Sequence, residues 1–252
     1  MSQDQKLTEI PRGCTQLGVN HAIVEYLLAL GDDLSNKWIL DIPCGRGELV
    51  SVLRRFFPGA NFRGGDLRKP GQLSVEEFAT VDARRPFSLF PGNQFDLILS
   101  VSGVLEFDNT LQFFESIRKH LTDTGIFIVT DDNIVSVRDR LEYLFLGKFR
   151  HPYDIFVAKD AQSWKAMPIH NLLRNLLDAG FDVRDIHYIP VRAKDWLLLP
   201  LALLILPIQA LYVRYRRSKM PLSLRRKMYP FRSLLSRHYF IVCVPVVSAR
   251  HN

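Results

Sequence analysis

The stretch WILDIPCGRGELV, residues 38–50, decides the fold prediction for this chain. It begins with an apolar run that ends at Asp41, and Gly45 and Gly47 follow within six positions. From Glu48 onward the apolar residues have the spacing of an amphipathic helix. A buried strand that enters a glycine-rich turn and then a helix is the arrangement with which many proteins hold a nucleotide-type cofactor.

The alternation of strands and helices continues on both sides of this stretch. Apolar runs predict strands over residues 37–42, 60–66, 78–82, 95–102, 124–130, 181–191 and 238–247. Helical spacing and capping residues predict helices over residues 20–30, 47–57, 109–121, 134–146 and 168–179, with Asn133 as the N-cap of the fourth. Such a series predicts an α/β fold with a mostly parallel sheet, whose ligands bind at the carboxyl ends of the strands.

The residues of the turn indicate which cofactor it suits. A dinucleotide motif would place glycines at positions 43, 45 and 48, but the chain has Pro43, Gly45 and Glu48. Asp41 and Glu48 would also bring negative charge close to a pyrophosphate. The Gly-Lys-Ser/Thr of a phosphate-binding loop is absent from the sequence. A cofactor without phosphates and with positive groups, such as S-adenosylmethionine, suits the turn better.

The stretch LDIPCGRGE resembles motif I of class I S-adenosylmethionine-dependent methyltransferases, in which proline is a recurrent variant of the first glycine. The resemblance continues in GGDL, VDAR and FDLILSVSGVLEFDN, and it covers roughly residues 20–190 and the last strand. It implies a seven-stranded Rossmann-like sheet with an antiparallel last strand. The cofactor-binding positions that it implies are Asp41, Cys44, Gly45, Gly47, Asp66, Leu67, Asp82, Ala83 and Ser100. In the family, the acid at Asp66 binds the ribose, and the residues at Leu67, Asp82 and Ala83 contact the adenine.

A narrower resemblance joins TDDNIVSVRDRLEYLFLGKF to bacterial methyltransferases associated with envelope polysaccharides and lipids. Asp131 and Asp132 stand in the region of that group's usual proline, and Phe107 replaces a usual histidine of the fourth motif. An O-methyl acceptor needs a general base or a metal, and the sequence has no evident metal cluster. The candidate bases are His151, Asp132, Asp131 and Glu106, of which His151 and Asp132 are preferred.

Composition bounds the rest of the prediction. A chain of 252 residues with 47% hydrophobic residues is predicted to be a single methyltransferase domain, residues 1–252. Three scattered cysteines argue against a disulfide framework or a zinc site, and the polar N-terminus shows no secretory signal. The net charge of +7 is uneven, because the segment from Pro190 to Arg237 carries +10 and the remainder −3. The basic pI therefore belongs to one segment, which weakens a nucleic-acid interpretation.

That segment is an insertion, residues 192–237, between the last two predicted strands. Residues 196–213 (WLLLPLALLILPIQALYV) contain no charge, and Pro200 and Pro207 disfavour one straight helix. A single membrane crossing is excluded, because both flanking strands must join the same sheet. The segment is therefore re-entrant, in-plane or buried in protein. Basic residues mixed with Leu, Met, Tyr and Phe follow, so residues 196–237 are predicted to contact an anionic membrane surface.

The sequence thus predicts a peripheral methyltransferase at the cytoplasmic face of a membrane, with an envelope glycan, a lipid-linked sugar or a lipid-like acceptor. Two alternatives remain: a non-catalytic scaffold that binds S-adenosylmethionine, and an RNA methyltransferase. The second is disfavoured because SVSG stands where an N-P-P-Y-type motif would be, and nucleic acid does not explain the apolar run. The sequence leaves the oligomeric state open.

Overall fold

The computed structural model describes residues 10–13, 15–104, 108–148, 167–217 and 220–246. Its centre is a seven-stranded sheet. The strands are β1 (Trp38–Asp41), β2 (Asn61–Asp66), β3 (Phe78–Thr80), β4 (Phe95–Ser100), β5 (Leu121–Asp132), β6 (Phe181–Tyr188) and β7 (His238–Pro245). Their order is β3-β2-β1-β4-β5-β7-β6, and β7 runs antiparallel to both neighbours while the other pairs are parallel. This confirms the predicted Rossmann-like sheet and its antiparallel last strand.

Helices cover both faces of the sheet. They are α1 (Val19–Leu30), α2 (Glu48–Phe56), α3 (Thr110–His120), α4 (Val137–Leu146), α5 (Ile169–Asp178), α6 (Leu199–Tyr215) and α7 (Leu222–Met228). One apolar core includes the buried residues of α1 and α2, and a second includes those of α3 and α5. Nearly every residue of β1, β4 and β7 is buried, which explains the mostly apolar sequences of these three strands.

The N-cap predicted for α4 was wrong. Ser136 caps this helix through its side chain, which accepts a hydrogen bond from the Asp139 amide. Asn133 instead lies before the helix, and its side-chain amide donates to the carbonyls of Ser233 and Ser236, both at 2.7 Å. Its side chain therefore ties the end of β5 to the chain just before β7. Sequence alone does not separate these two uses of a polar residue near a helix start.

The insertion between β6 and β7 folds into a short 3-10 helix (Ala193–Leu198), α6, α7 and a second 3-10 helix (Phe231–Leu234). Helix α6 continues through Pro207, a residue expected to disfavour a straight helix in this segment. Residues 193–215 are long and apolar enough to span a membrane, with a mean hydropathy of 2.1, and only 11% of the most apolar window is buried. Helix α6 connects β6 to β7, and these two strands pair in one sheet. A single membrane crossing by α6 would put the two strands on opposite sides of the membrane, so it is incompatible with this sheet.

A buried ion pair fixes the insertion to the sheet. Asp195 accepts hydrogen bonds from Nε and Nη2 of Arg237, which lies directly before β7, and Arg138 Nε lies 3.3 Å from Asp195 Oδ1. Burial alone would raise the pKa of Asp195, but the hydrogen bonds and charges of the arginines hold it below its usual value. A small apolar cluster of Val137, Ala202, Leu234 and Leu235 lies beside this pair. One side of α6 is therefore packed while its other side is exposed.

Candidate functional site

A cleft of about 200 Å³ lies where the carboxyl ends of β1, β2 and β4 meet, as the strand order predicts. It contains most of the residues that the sequence assigned to the cofactor. Of these, Asp41, Cys44, Gly45, Asp66, Leu67, Asp82 and Ala83 line the cleft. Gly47 and Ser100 do not belong to its lining.

The two glycines of the turn have different roles. Gly45 lines the cleft with φ +53°, and a Cβ on it would meet no atom within 4 Å. Its backbone is thus open to a ligand, and glycine removes the strain of a left-handed conformation. Gly47 precedes α2 with φ +73°, and a Cβ there would lie 3.2 Å from Gln72 and 3.3 Å from Pro70. Gly47 therefore permits the turn and the close packing behind it.

Asp66 lies at the end of β2 and reaches back to the turn. Its Oδ2 accepts a hydrogen bond from the Gly45 amide at 2.8 Å, and its Oδ1 accepts one from the Leu67 amide at 2.6 Å. A carboxylate oxygen can accept more than one hydrogen bond, so both oxygens can still receive a ligand hydroxyl. Leu67 is 44% exposed beside it and offers an apolar surface to a base.

Asp41 is the most unusual charged group of the cleft. It is only 2% exposed, and its Oδ1 has no hydrogen-bond partner among the described residues. Burial, together with the nearby charge of Asp66, raises its pKa well above that of an ordinary carboxyl. Burial and the same two carboxylates also raise the pKa of the Cys44 thiol, so this residue acts here as a small apolar wall. The cleft therefore favours a positively charged ligand near Asp41.

Asp82 is held by a neighbouring arginine. Arg84 donates from Nε to Asp82 Oδ1 at 2.8 Å and from Nη2 to Oδ2 at 2.9 Å. These hydrogen bonds hold the pKa of Asp82 below its usual value. Ala83, which lies between Asp82 and Arg84 in the sequence, is buried. The carboxylate predicted to contact the adenine edge is thus already in a bidentate pair, and Arg84 is a cleft residue that the sequence analysis missed.

A second wall of the cleft was also missed. Thr15, from the segment before α1, lies 2.6 Å from the Ser102 hydroxyl, Oγ1 to Oγ. Ser102 follows β4 with φ +59°, and its amide donates to Thr130 Oγ1 at 2.8 Å. Gly13 and Asn20 also line the cleft. No sequence pattern marks this wall, because it forms by contact between residues 87 positions apart.

The predicted catalytic residues lie elsewhere or outside the described chain. Asp132, at the end of β5, accepts a hydrogen bond at 2.8 Å that we assign to His238 Nδ1–H. Both side chains are buried, and His238 Nε2 has no partner among the described residues. Asp131 is fully buried, and burial followed by the charge of Asp132 raises its pKa. His151, Glu106 and Phe107 lie outside the described residues.

Ser100 and His170 both have structural positions outside the cleft lining. Ser100 is fully buried in β4, behind the cleft, and its hydroxyl has no partner among the described residues. His170 lies in the first turn of α5, and its Nε2 is 2.8 Å from the Tyr229 hydroxyl. Within the described ranges, no group of three or more His, Cys, Asp or Glu side chains is placed to hold a metal ion.

Comparison with solved structures identifies the fold. A S-adenosylmethionine-dependent methyltransferase from Archaeoglobus fulgidus matches with a TM-score of 0.55 and 15% identity, over 90% of this chain and 94% of that one. One from Mesorhizobium loti matches with a TM-score of 0.51 and 13% identity, over 87% and 95% of the two chains. The [4+2]-cyclase SpnF matches with a TM-score of 0.51 and 17% identity, over 95% and 86%. The chain thus has the fold of class I methyltransferases, a fold that also occurs in a cyclase.

Comparison of the sequence with known families and curated proteins says less about this chain than the comparison of structures. No family model matches the chain. A curated relative, an uncharacterized protein of Methanocaldococcus jannaschii, is 27% identical over 135 residues, which are 51% of this chain and 50% of the relative. The chain thus spans about half the length of the curated relative it matches. The reaction must therefore be argued from the site.

Proposed function

We propose that this protein is a S-adenosylmethionine-dependent methyltransferase with a glycan, lipid-linked sugar or lipid-like acceptor at a membrane surface. The observation that carries the cofactor assignment is the buried carboxylate of Asp41, which lines the cleft with one oxygen unpartnered among the described residues. A desolvated carboxylate beside a second one, Asp66, is stabilised by a nearby cation. The ammonium and sulfonium groups of S-adenosylmethionine supply positive charge, whereas a dinucleotide would bring a pyrophosphate.

The cleft offers a partner for each part of this cofactor. Asp66 can accept the ribose hydroxyls while it holds the turn through Gly45. Leu67 and Ala83 can flank the adenine, and Asp82 can accept its amino group at the edge of the Arg84 pair. The amides at the start of α2 can bind the methionine carboxylate. These assignments use the chemistry of the residues present and involve no metal.

When bound, S-adenosylmethionine supplies a methyl group on a positively charged sulfur, which an acceptor oxygen or nitrogen can attack in line. The protein must hold the acceptor, exclude water and receive the acceptor's proton. Asp132 and His238 are buried and lie outside the lining of the cleft, so neither is assigned here as the proton acceptor.

Exposed apolar side chains support a membrane-associated acceptor. Helix α4 ends with Leu144, Phe145 and Leu146, which are 72%, 77% and 65% exposed. The neighbouring insertion exposes Leu197, Leu203, Leu204, Ile208 and Leu211. The adjoining arginines Arg214, Arg216, Arg217 and Arg226 are exposed as well. Apolar side chains rimmed by basic ones suit the interface of an anionic bilayer, here proposed to be the cytoplasmic leaflet.

Calorimetry with S-adenosylmethionine and with NAD tests the cofactor assignment. We expect saturable binding of the first and none of the second at the same concentration. No binding of S-adenosylmethionine to the folded protein would refute the proposal. Methyl transfer is tested separately, with labelled cofactor and fractionated membrane lipids, glycans and RNA. Binding without transfer to any fraction, RNA included, would favour the scaffold alternative, and label in RNA would favour the RNA methyltransferase.

A further inference from the structure

A second pocket, of about 250 Å³, lies at the insertion and outside the cofactor cleft. Six residues line it: Arg140, Ile205, Ile208, Gln209, Tyr212 and Tyr229. They come from α4, α6 and the residue directly after α7. None of these described lining residues is acidic. The pocket thus combines one cation with hydroxyl, amide and apolar groups.

The cation is fixed in place. Arg140 Nε donates to the Val135 carbonyl at 2.7 Å, which sets the direction of the guanidinium. No carboxylate among the described residues forms an ion pair with Arg140, in contrast to Arg138 beside it, which pairs with Asp195. Burial lowers the pKa of Arg140 from the usual arginine value, although an arginine stays charged at neutral pH. The residue as a whole is exposed, so this guanidinium, which no described carboxylate neutralises, is accessible to an anion.

A buried amide lies on the same pocket wall. Gln209 is 5% exposed, and its Nε2 donates to the Tyr229 carbonyl at 3.0 Å and to the Ser233 hydroxyl at 3.1 Å. These hydrogen bonds fix the amide and leave Oε1 without a partner among the described residues. An unpartnered buried acceptor is costly, so a ligand that donates a hydrogen bond to it is favoured. A protonated phosphate oxygen or a headgroup hydroxyl is such a donor.

Two tyrosines complete the polar end. The Tyr229 hydroxyl is 2.8 Å from His170 Nε2, and its ring packs edge-on against Tyr212 with centroids 5.5 Å apart. Tyr212 is 40% exposed, so its ring remains accessible from the pocket. Ile205 and Ile208 form the apolar side, and Ile208, 68% exposed, continues into the surface made by Leu204 and Leu211. A polar end next to an exposed apolar surface fits a molecule that has a charged head and hydrocarbon chains.

We propose that this pocket binds the phosphate headgroup of an anionic lipid. The guanidinium of Arg140 binds the phosphate, Gln209 Oε1 accepts a hydrogen bond from a protonated phosphate oxygen or a headgroup hydroxyl, and the acyl chains lie along Ile205 and Ile208. The inference rests on the proposed membrane association and makes it specific, because a lipid with a phosphate would be preferred over a neutral one. The pocket lies within the surface that would face the bilayer.

Calorimetry with soluble short-chain lipids tests the site without a bilayer. The probes are dihexanoyl phosphatidic acid, dihexanoylglycerol and inorganic phosphate, each below any micelle-forming concentration. We expect the phosphatidic acid to bind at least tenfold more tightly than either of the others. Equal binding of dihexanoylglycerol would overturn the role of the charge, and equal binding of inorganic phosphate would identify a free-phosphate site instead.

Substitutions of single arginines test whether phosphatidic acid binds in this pocket. Arg140→Gln is expected to weaken phosphatidic acid binding at least tenfold and Arg140→Lys less. Arg214→Gln, which removes the same charge from α6 outside the pocket, should change it less than twofold. Equal losses in Arg140→Gln and Arg214→Gln, or no binding by the wild type, would overturn the proposal. A thermal unfolding scan verifies that each variant is folded. Failure of the wild type to sediment with vesicles would instead count against the membrane association.

Discussion

The carboxylate of Asp66 joins the end of the second strand to the turn after the first, because Oδ2 accepts a 2.8 Å hydrogen bond from the Gly45 amide. Gly45 has a left-handed backbone and its amide would be free without this contact. The same carboxylate lines the cleft and can accept further hydrogen bonds. One residue thus shapes the turn and remains available to a ligand.

Replacement of this residue should separate binding from folding. We expect Asp66→Ala to weaken S-adenosylmethionine binding at least tenfold, because the ribose hydroxyls lose a charged acceptor and the Gly45 amide loses its partner. The control is Asp123→Ala, which removes an acid whose side chain is 76% exposed near Arg118. Calorimetry should show an unchanged Kd for this control. A folded Asp66→Ala protein that binds the cofactor like the wild type would contradict the assignment.

Asp41→Asn should have opposite effects on stability and on ligand binding. Burial and the charge of Asp66 disfavour the ionised form of Asp41, and the change to asparagine removes that ionisable group. The ligand-free variant should therefore melt about 2–4 °C higher at neutral pH, which corresponds to roughly 1 kcal/mol in the free energy of unfolding. The variant should also bind S-adenosylmethionine at least fivefold more weakly, while binding of the uncharged nucleoside adenosine changes little. A variant that binds S-adenosylmethionine as tightly as the wild type would contradict a cation site at Asp41.

The same pair of proteins gives a pH signature. The folded pKa of Asp41 is raised, so at pH values below about 3.9 the carboxyl is protonated in both folded and unfolded chains and the two proteins should be equally stable. As the pH rises, the unfolded carboxyl ionises first, and the wild type loses stability relative to Asp41→Asn. Melting curves at several pH values measure this difference. A difference that shrinks with rising pH would contradict the raised pKa.

The sequence predicted the sheet well because its signals are local. The strands Trp38–Asp41 and Phe95–Ser100 are short, mostly apolar runs in which nearly every residue is buried, so periodicity and composition were sufficient. The acids at the strand ends, Asp41, Asp66 and Asp82, line one cleft, since parallel strands bring their carboxyl ends to one edge.

The parts that sequence reasoning missed depend on contacts between distant residues. Thr15 meets Ser102, and Asp132 meets His238 across 106 positions, and neither contact leaves a spacing pattern. The N-cap predicted at Asn133 was wrong because of another distant contact. Its side-chain amide donates hydrogen bonds to two carbonyls about 100 positions away. Gly47 was assigned to the cofactor by its motif; the structure shows the close packing behind it against Gln72 and Pro70, and its contact with a cofactor stays a prediction.

The buried ion pair of the insertion should be essential for stability. Asp195→Asn leaves Arg237 buried without its counter-charge, and we expect a loss of about 3–5 kcal/mol in the free energy of unfolding. The matched control is Asp178→Asn, which breaks the exposed ion pair with Arg174 and should cost no more than about 0.5 kcal/mol. Urea unfolding at neutral pH measures both. Similar small losses in the two variants would show that Arg237 does not depend on Asp195.

Acid should reduce the contribution of the Asp195–Arg237 ion pair to the stability of the fold. Because the folded pKa of Asp195 lies below its usual value, its stabilisation is fully present above about pH 4 and is lost as the pH falls through the folded value. The stability gap between the wild type and Asp195→Asn should therefore narrow in acid. Urea midpoints measured between neutral pH and pH 3 test this, and a gap that widens in acid would contradict the sign of the shift.

The exposed apolar surface gives the last prediction. The double variant Phe145→Asp and Leu204→Asp places charges on side chains that are 77% and 70% exposed, so the fold should be retained. Vesicles that contain anionic phospholipid should sediment at least tenfold less of it than of the wild type, because each aspartate adds both a desolvation cost and repulsion from the headgroups.

The control is Val75→Asp, which changes an equally exposed apolar residue, 78%, in the loop before β3. It should sediment like the wild type. Raising the salt concentration should weaken the wild-type interaction, since screening reduces the attraction between the arginines near α6 and the headgroups. Equal sedimentation of the double variant and the control would mean that the exposed face of α4 and α6 does not contact the bilayer. In that case the apolar face would have to be covered by protein.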